Sequence, residues 1–134
     1  MSSALYCRNN AVVPATPAAD QTDKEGYTVN LTSVAGVLTA TVSTSATVVV
    51  EGVILEGRTT SGKSSIGIFG TMSGTVRLKL SGTVSAGDKV QQAADGTVVT
   101  DAAAGARVLV GVALEDGVSG DLIEVAPFTP LTLA

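Results

Sequence analysis

Gly74-Thr75-Val76-Arg77-Leu78-Lys79-Leu80-Ser81-Gly82-Thr83-Val84-Ser85-Ala86-Gly87-Asp88-Lys89-Val90 is the stretch that decides the fold class. Val76, Leu78 and Leu80 alternate with Thr75, Arg77 and Lys79, a period of two that belongs to a strand with one buried face. Ser81-Gly82 and Gly87-Asp88 then break the run, because glycine and aspartate accept the backbone angles of tight turns. The segment therefore reads strand, turn, turn, strand.

The same grammar extends in both directions. Upstream, Tyr27, Val29 and Leu31 alternate with Thr28, Asn30 and Thr32, and Leu38, Ala40 and Val42 alternate with Thr39, Thr41 and Ser43. Ala46 to Leu55 is almost continuously apolar, broken by Glu51-Gly52, and reads as a buried strand with a bulge or bend. Ile66 and Ile68 mark another strand. Downstream, Val108, Val110, Val112 and Leu114 form one inward face, and Ile123 with Val125 another. Ser61-Gly62, Ser73-Gly74, Asp95-Gly96, Gly105 and Ser119-Gly120-Asp121 supply the turns. No amphipathic helix is present, and Ala102 to Ala106 allows one turn at most. Short strands at this spacing predict an all-β fold, a small β-barrel or sandwich.

Residues 1–26 do not follow that pattern. Val12-Val13-Pro14-Ala15-Thr16-Pro17-Ala18-Ala19-Asp20 has two prolines and no period, which predicts an extended N-terminal arm ahead of a β-rich domain over 27–134. Leu5, Tyr6, Val12, Val13 and Pro14 give that arm apolar anchors. They are candidate contacts to a neighbouring subunit or to a larger assembly. At the other end, Phe128 and Leu131 lie on the stiff tail Pro127-Phe128-Thr129-Pro130-Leu131. They either dock between subunits or tuck under their own domain.

Composition restricts the chemistry. Of 134 residues, 45% are apolar, 15% charged and 3% aromatic, a balance that forms a core of Val, Leu and Ile rather than a disordered chain. Histidine is absent, which removes the commonest general base and transition-metal ligand. A single cysteine, Cys7, leaves no internal disulfide and no cysteine-based zinc site. The net charge of −4 lacks the basic excess of a nucleic-acid binder. Two basic and seven acidic groups fall in residues 81–134, against four basic and two acidic in 51–80. No signal peptide and no membrane-spanning apolar run is seen. These features predict a protein made in the cytoplasm, without cofactor or metal, and not an enzyme.

One motif argues the other way. Gly57-Arg58-Thr59-Thr60-Ser61-Gly62-Lys63-Ser64 matches the phosphate-loop pattern at every specified position and follows an apolar run. That loop binds phosphate only when a helix N-terminus follows it. Here Ser65-Ile66-Gly67-Ile68-Phe69-Gly70 follows, with two glycines and strand alternation, so a Ser/Thr/Gly hairpin with a solvated Lys63 is expected instead. A P-loop nucleotide hydrolase is thus the weakest of three functional readings. Glu115, Asp116, Asp121 and Glu124 cluster in sequence, but not at the spacing of an EF-hand calcium loop. Val84-Ser85-Ala86-Gly87-Asp88-Lys89-Val90 is similar to the turn of biotinyl and lipoyl carrier domains but lacks their displayed lysine.

Taken together, four segments resemble the small capsid cement or head decoration proteins of tailed bacteriophages: Gly74–Leu80, Val84–Asp88, Ala94-Asp95-Gly96-Thr97-Val98, and Gly105-Ala106-Arg107-Val108 leading into Gly111-Val112-Ala113-Leu114-Glu115. The finish Gly120-Asp121-Leu122-Ile123-Glu124-Val125-Ala126-Pro127-Phe128 completes the likeness, which is strongest over residues 74–128 and looser over 46–73. The resemblance implies a β-barrel-like structural virion protein on the outer surface of an expanded head. Its partners would be the major capsid protein and itself, commonly as a homotrimer, and it would fasten neighbouring capsomers. The alternative is a head-fibre or adhesin-like module that recognises a host surface.

Overall fold

A computed structural model of the chain describes residues 12–72 and 74–134. Ten strands and no helix make up the described residues: β1 (Val12–Pro17), β2 (Thr28–Val34), β3 (Val37–Val42), β4 (Gly52–Glu56), β5 (Ser64–Ile68), β6 (Val76–Lys79), β7 (Lys89–Gln92), β8 (Val98–Thr100), β9 (Arg107–Ala113) and β10 (Leu122–Leu133). The first five close into a barrel in the order β1-β3-β2-β4-β5, and the last five form a sheet in the order β6-β10-β9-β7-β8. That sheet curls until its edges touch, because Leu80 just beyond β6 bridges Val98 of β8. The all-β expectation holds.

Two cores result, and β4 belongs to both. Successive side chains on a strand face opposite ways. Ile54 points into the barrel with Ala15, Val29, Ala40 and Ile66. Val53, one residue earlier, joins Val50 and Phe69 in the larger core beneath the second sheet, with Leu78, Leu80, Val108, Val110, Ile123 and Val125. Burial on both faces is why this part of the sequence is apolar without alternation. Backbone bonds also tie the halves together: Lys79 N–H donates to Gly26 O (3.0 Å) and Thr28 N–H to Gly96 O (2.8 Å).

Three expectations need correction. The arm does not extend to residue 26. Val12–Pro17 is a barrel strand, antiparallel to β5 from Val12↔Gly67 to Ala15↔Ser64 and parallel to β3 at Thr16↔Thr39 and Pro17↔Ala40. The prolines are tolerated because β3 joins β1 only at Thr16 and β5 leaves it at Ala15, so Pro14 and Pro17 each have one side with no ladder to lose. Gln21 is likewise fully buried, its amide donating to Ala40 O (2.9 Å). Second, residues 46–51 are not strand. Val50 N–H donates to the Gln92 side chain (3.1 Å), whose amide donates to Val48 O (2.8 Å) and Ser45 O (3.1 Å), while Ser45 Oγ accepts the N–H groups of Thr47 and Val48. Side chains thus take the bonds a neighbouring strand would have taken. Third, the inward face of Val108 and Val110 does not continue to Val112 and Leu114: the pairing with β7 shifts register between Gly111 and Leu109, Ala113 takes the core position, Val112 is half-buried and Leu114 exposed.

Candidate functional site

The barrel has two chemically different ends. Between β1 and β2 lie Asp20, Asp23, Lys24 and Glu25; at the same end, Glu56 closes β4, and Arg58 and Lys63 lie between β4 and β5. These charges are used locally. Asp20 accepts the Thr22 N–H (3.0 Å) and hydroxyl (2.8 Å), and this pair of bonds holds its carboxyl below the ordinary aspartate value. Arg58 pairs with Glu56, and the Lys24 ammonium sits 4.8 Å from the centre of the Tyr27 ring.

The other end is formed by the starts of β1, β3 and β4 and the ends of β2 and β5. From it the β2–β3 hairpin projects. β2 meets β4 only at Thr28 and Val29; two residues on, the Glu51 carboxylate accepts Leu31 N–H (2.6 Å) in place of a strand, and the Asn30 amide donates to Val49 O (2.8 Å). Past that point β2 runs on by three residues, roughly 10 Å at ~3.3 Å per residue, and on the β3 side Val37 and Leu38 stand clear before Thr39 meets β1. Residues 32–38 are all exposed. Val34 pairs with Val37 across a two-residue turn, Ala35-Gly36, with φ of 51° and 81°. Two positive φ values define the turn type that matches strand twist, normally built from Asn-Gly or Asp-Gly. Here an alanine takes the first place.

The tip is apolar: Val34 is 57% exposed, Val37 43% and Leu38 42%. It is also uncharged, and residues 26–50 form the longest stretch of the chain without Asp, Glu, Lys or Arg. Both of its edges are open, since β1 pairs with β3 only from Thr39 onward. Uncharged open edges are what proteins ordinarily avoid with lysine, proline or a covering loop.

The sequence-predicted contact residues do not converge on one place. Leu5 and Tyr6 lie outside the described residues. Val12 and Val13 are half-buried in β1, with Val13 packed on the barrel core, and Pro14 is exposed on the same strand. Phe128 and Leu131 belong to β10, where register slips between Pro127 and Leu131; Phe128 is half-buried, Leu131 exposed. The β2–β3 hairpin was not singled out from sequence. Its signal was a two-residue turn between alternating runs inside the longest uncharged stretch.

Gly57–Ser64 is the β4–β5 loop, and Ser64 opens strand β5 rather than a helix. Several of its polar groups bond within the protein: Gly57 N–H donates to Glu25 (2.9 Å), Arg58 N–H to Ser64 Oγ (3.0 Å), Ser64 Oγ–H to Gln21 (2.9 Å), and Lys63 to the Thr16 hydroxyl (2.6 Å). Of the C-terminal acids, Asp116 accepts Ala86 N–H (2.8 Å), Asp121 accepts Val118 N–H (2.9 Å) and Glu124 accepts the Thr75 hydroxyl (2.6 Å). They brace turns. Among the described residues there is no pocket and no cluster of three potential metal ligands.

No protein-family model and no curated protein matches the chain. A solved structure does: the N base of head fiber gp8.5 in bacteriophage phi29 is similar over 92% of this chain and 97% of that one, with a TM-score of 0.69 and 12% sequence identity. At that identity the likeness is one of fold, and it takes in both the barrel and the curled sheet.

Proposed function

We propose that this chain is a structural, non-catalytic protein of a bacteriophage head. The observation that carries the proposal is the fold likeness to a phage head-fibre base across nearly the whole of both chains. The chemistry of the molecule is consistent with it, since its polar side chains serve turns and loops and its most exposed apolar element is a projecting hairpin.

Two finer readings follow, and each has its own support. The name of the similar structure favours a base that seats a fibre on the head. The Gly-Asp turns and Val-rich strands over residues 74–128, which resemble capsid cement proteins, favour a decoration protein that fastens capsomers. In both, the chain sits on the outer surface of the virion against the major capsid protein, with further copies of itself, in a trimer on the cement reading. Multivalent seating would convert weak single contacts into a lasting one.

Heads purified from a phage lacking this chain, incubated with the purified protein and examined by sedimentation and electron microscopy, test the proposal. Co-sedimentation at a fixed number of copies per head is expected, and no association would overturn it. Heating the coated heads separates the finer readings: a cement protein raises the temperature of DNA release, and a fibre base leaves it unchanged.

A further inference from the structure

We infer that the β2–β3 hairpin tip, Val34-Ala35-Gly36-Val37-Leu38, is an insertion element that seats the chain in an uncharged, aliphatic groove on another protein of the head. The inference rests on the proposed head association and names the surface that would make it.

Two features of the tip stand out: its apolar surface is unfavourable in water and is relieved when covered, and its turn carries an alanine where a polar residue would better suit a turn in solvent. Three aliphatic side chains stand in water at the end of a projecting hairpin. Ala35 holds φ of 51°, a left-handed conformation that costs an alanine more than the asparagine, aspartate or glycine usual at this turn position. A polar residue there would relieve the backbone and suit solvent. An alanine does neither, but it presents a small methyl at the leading point of the hairpin, where a groove wall can meet it.

The character of the occupant follows from charge and size. The tip lies in residues 26–50, which carry no charge, and the Glu51 carboxylate at its base is taken up by Leu31 N–H, whereas the opposite end of the barrel holds seven charged side chains in its loops and at the end of β4. A groove bearing unpaired charge would be desolvated by the tip without compensation. A second copy meeting tip to tip would cover one face of each hairpin and leave the other face and both open edges in water. A groove that receives the hairpin covers both faces and both open edges together, and can add backbone hydrogen bonds along them. A receiving protein fits these constraints better than a second copy does.

The test uses the full chain and heads lacking it. Val34→Asp with Val37→Lys is expected to reduce binding to heads at least tenfold, without changing the thermal midpoint or solution mass of the free protein, because both side chains are already exposed and the two opposite charges face each other across the ladder. Ala35→Asn is expected to leave the fold intact and still weaken binding. Val118→Asp, equally exposed on the other half of the molecule, is expected to bind like the parent. If the parent binds and the double variant binds equally well, the insertion role is wrong while head association stands. If the double variant instead converts an oligomer to a monomer, the tip joins copies of this chain and the inference is overturned. If the parent itself does not bind heads, the functional proposal fails, and this inference with it.

Discussion

Val84 and Gly117 exchange both backbone hydrogen bonds, each 2.9 Å, and stand at the centre of a local two-fold relation. Gly87 N–H donates to Ala113 O, and Gly120 N–H to Leu80 O, both 2.8 Å. Asp88 Oδ2 accepts Ser85 N–H (3.0 Å), and Asp121 Oδ2 accepts Val118 N–H (2.9 Å). The strands continue the pattern, with Lys89↔Val112 on one side matching Leu122↔Lys79 on the other. Leu80–Asp88 and Ala113–Asp121 are thus one structure built twice, although little beyond Gly-Asp is shared in their sequences.

The pair makes a matched experiment. Gly87 and Gly120 both have φ of 93°, with nothing near where a Cβ would stand. Gly87→Ala and Gly120→Ala should each cost about 1–2 kcal/mol, from left-handed backbone strain alone. Gly117 has no such φ, but its Cβ would lie 2.5 Å from Ile123 Cγ2 and 2.8 Å from Leu80 Cδ1. Gly117→Ala should cost about 1–3 kcal/mol through overpacking. Urea unfolding at an unchanged m-value checks all three, and unequal losses at Gly87 and Gly120 would contradict the two-fold account.

Gln92 offers a second test, because one buried amide replaces a strand. Gln92→Leu removes the partner of the Val50 N–H and of the Val48 and Ser45 carbonyls. Val50 is buried and finds no water, whereas Val48 is exposed and can. A loss of about 2–3 kcal/mol is expected, one orphaned buried donor plus a weaker loop anchor. Hydrogen exchange should accelerate at Val50 while the β2–β4 amides stay protected.

The phosphate-loop motif gives the most direct contrast between a sequence pattern and its physical cause. In a nucleotide site Lys63 would matter most. Here Lys63 is exposed and holds only the Thr16 hydroxyl, so Lys63→Ala should change stability by less than about 1 kcal/mol. A Cβ on Gly57 would run into the backbone carbonyl of Gln21, which cannot swing aside. Gly57→Ala should therefore destabilise by about 3 kcal/mol or more, or fail to fold. Calorimetric titration with magnesium and ATP should show no binding; tight binding lost in Lys63→Ala would contradict the hairpin reading.

How much of this was legible depends on who supplies the hydrogen bonds. Where backbone pairs with backbone and one face is buried, as at Val76-Arg77-Leu78-Lys79, alternation alone located the strand. Where side chains supply the bonds, it misled: Ala46 to Glu51 is apolar enough for a strand, yet Gln92, Ser45 and Asn30 hold it as a loop. Val12–Pro17 failed in the opposite sense, because two prolines hid a strand that leaves each of them an open side. Closure of the barrel joins residues as distant as Val12 and Gly67, and no local pattern reports that. The hairpin tip was written plainly in sequence as Val-Ala-Gly-Val, but only its projection beyond β4 turns four ordinary residues into an exposed surface.

Acid should act on the second sheet through Asp101. Its carboxylate accepts the Ala103 N–H (3.0 Å) and bonds to Arg107, and these bonds, the backbone one foremost, hold its pKa below the ordinary aspartate value. A carboxyl with a depressed folded pKa stabilises the fold fully above its unfolded pKa of about 3.9, and that contribution is lost as pH falls through the lower folded value. Asp101→Asn keeps an oxygen for Ala103 but removes the charge facing Arg107. The parent should therefore be more stable than the variant at neutral pH, with a constant margin down to about pH 5 that closes below about pH 4. Asp20 shifts in the same direction, so some acid sensitivity should survive in Asp101→Asn and diminish further when Asp20→Asn is added. Thermal midpoints of the parent and both variants, measured from neutral to acid pH, check this. A margin that persists undiminished at about pH 2 would mean that Asp101 acts through packing or loop geometry rather than through its charge.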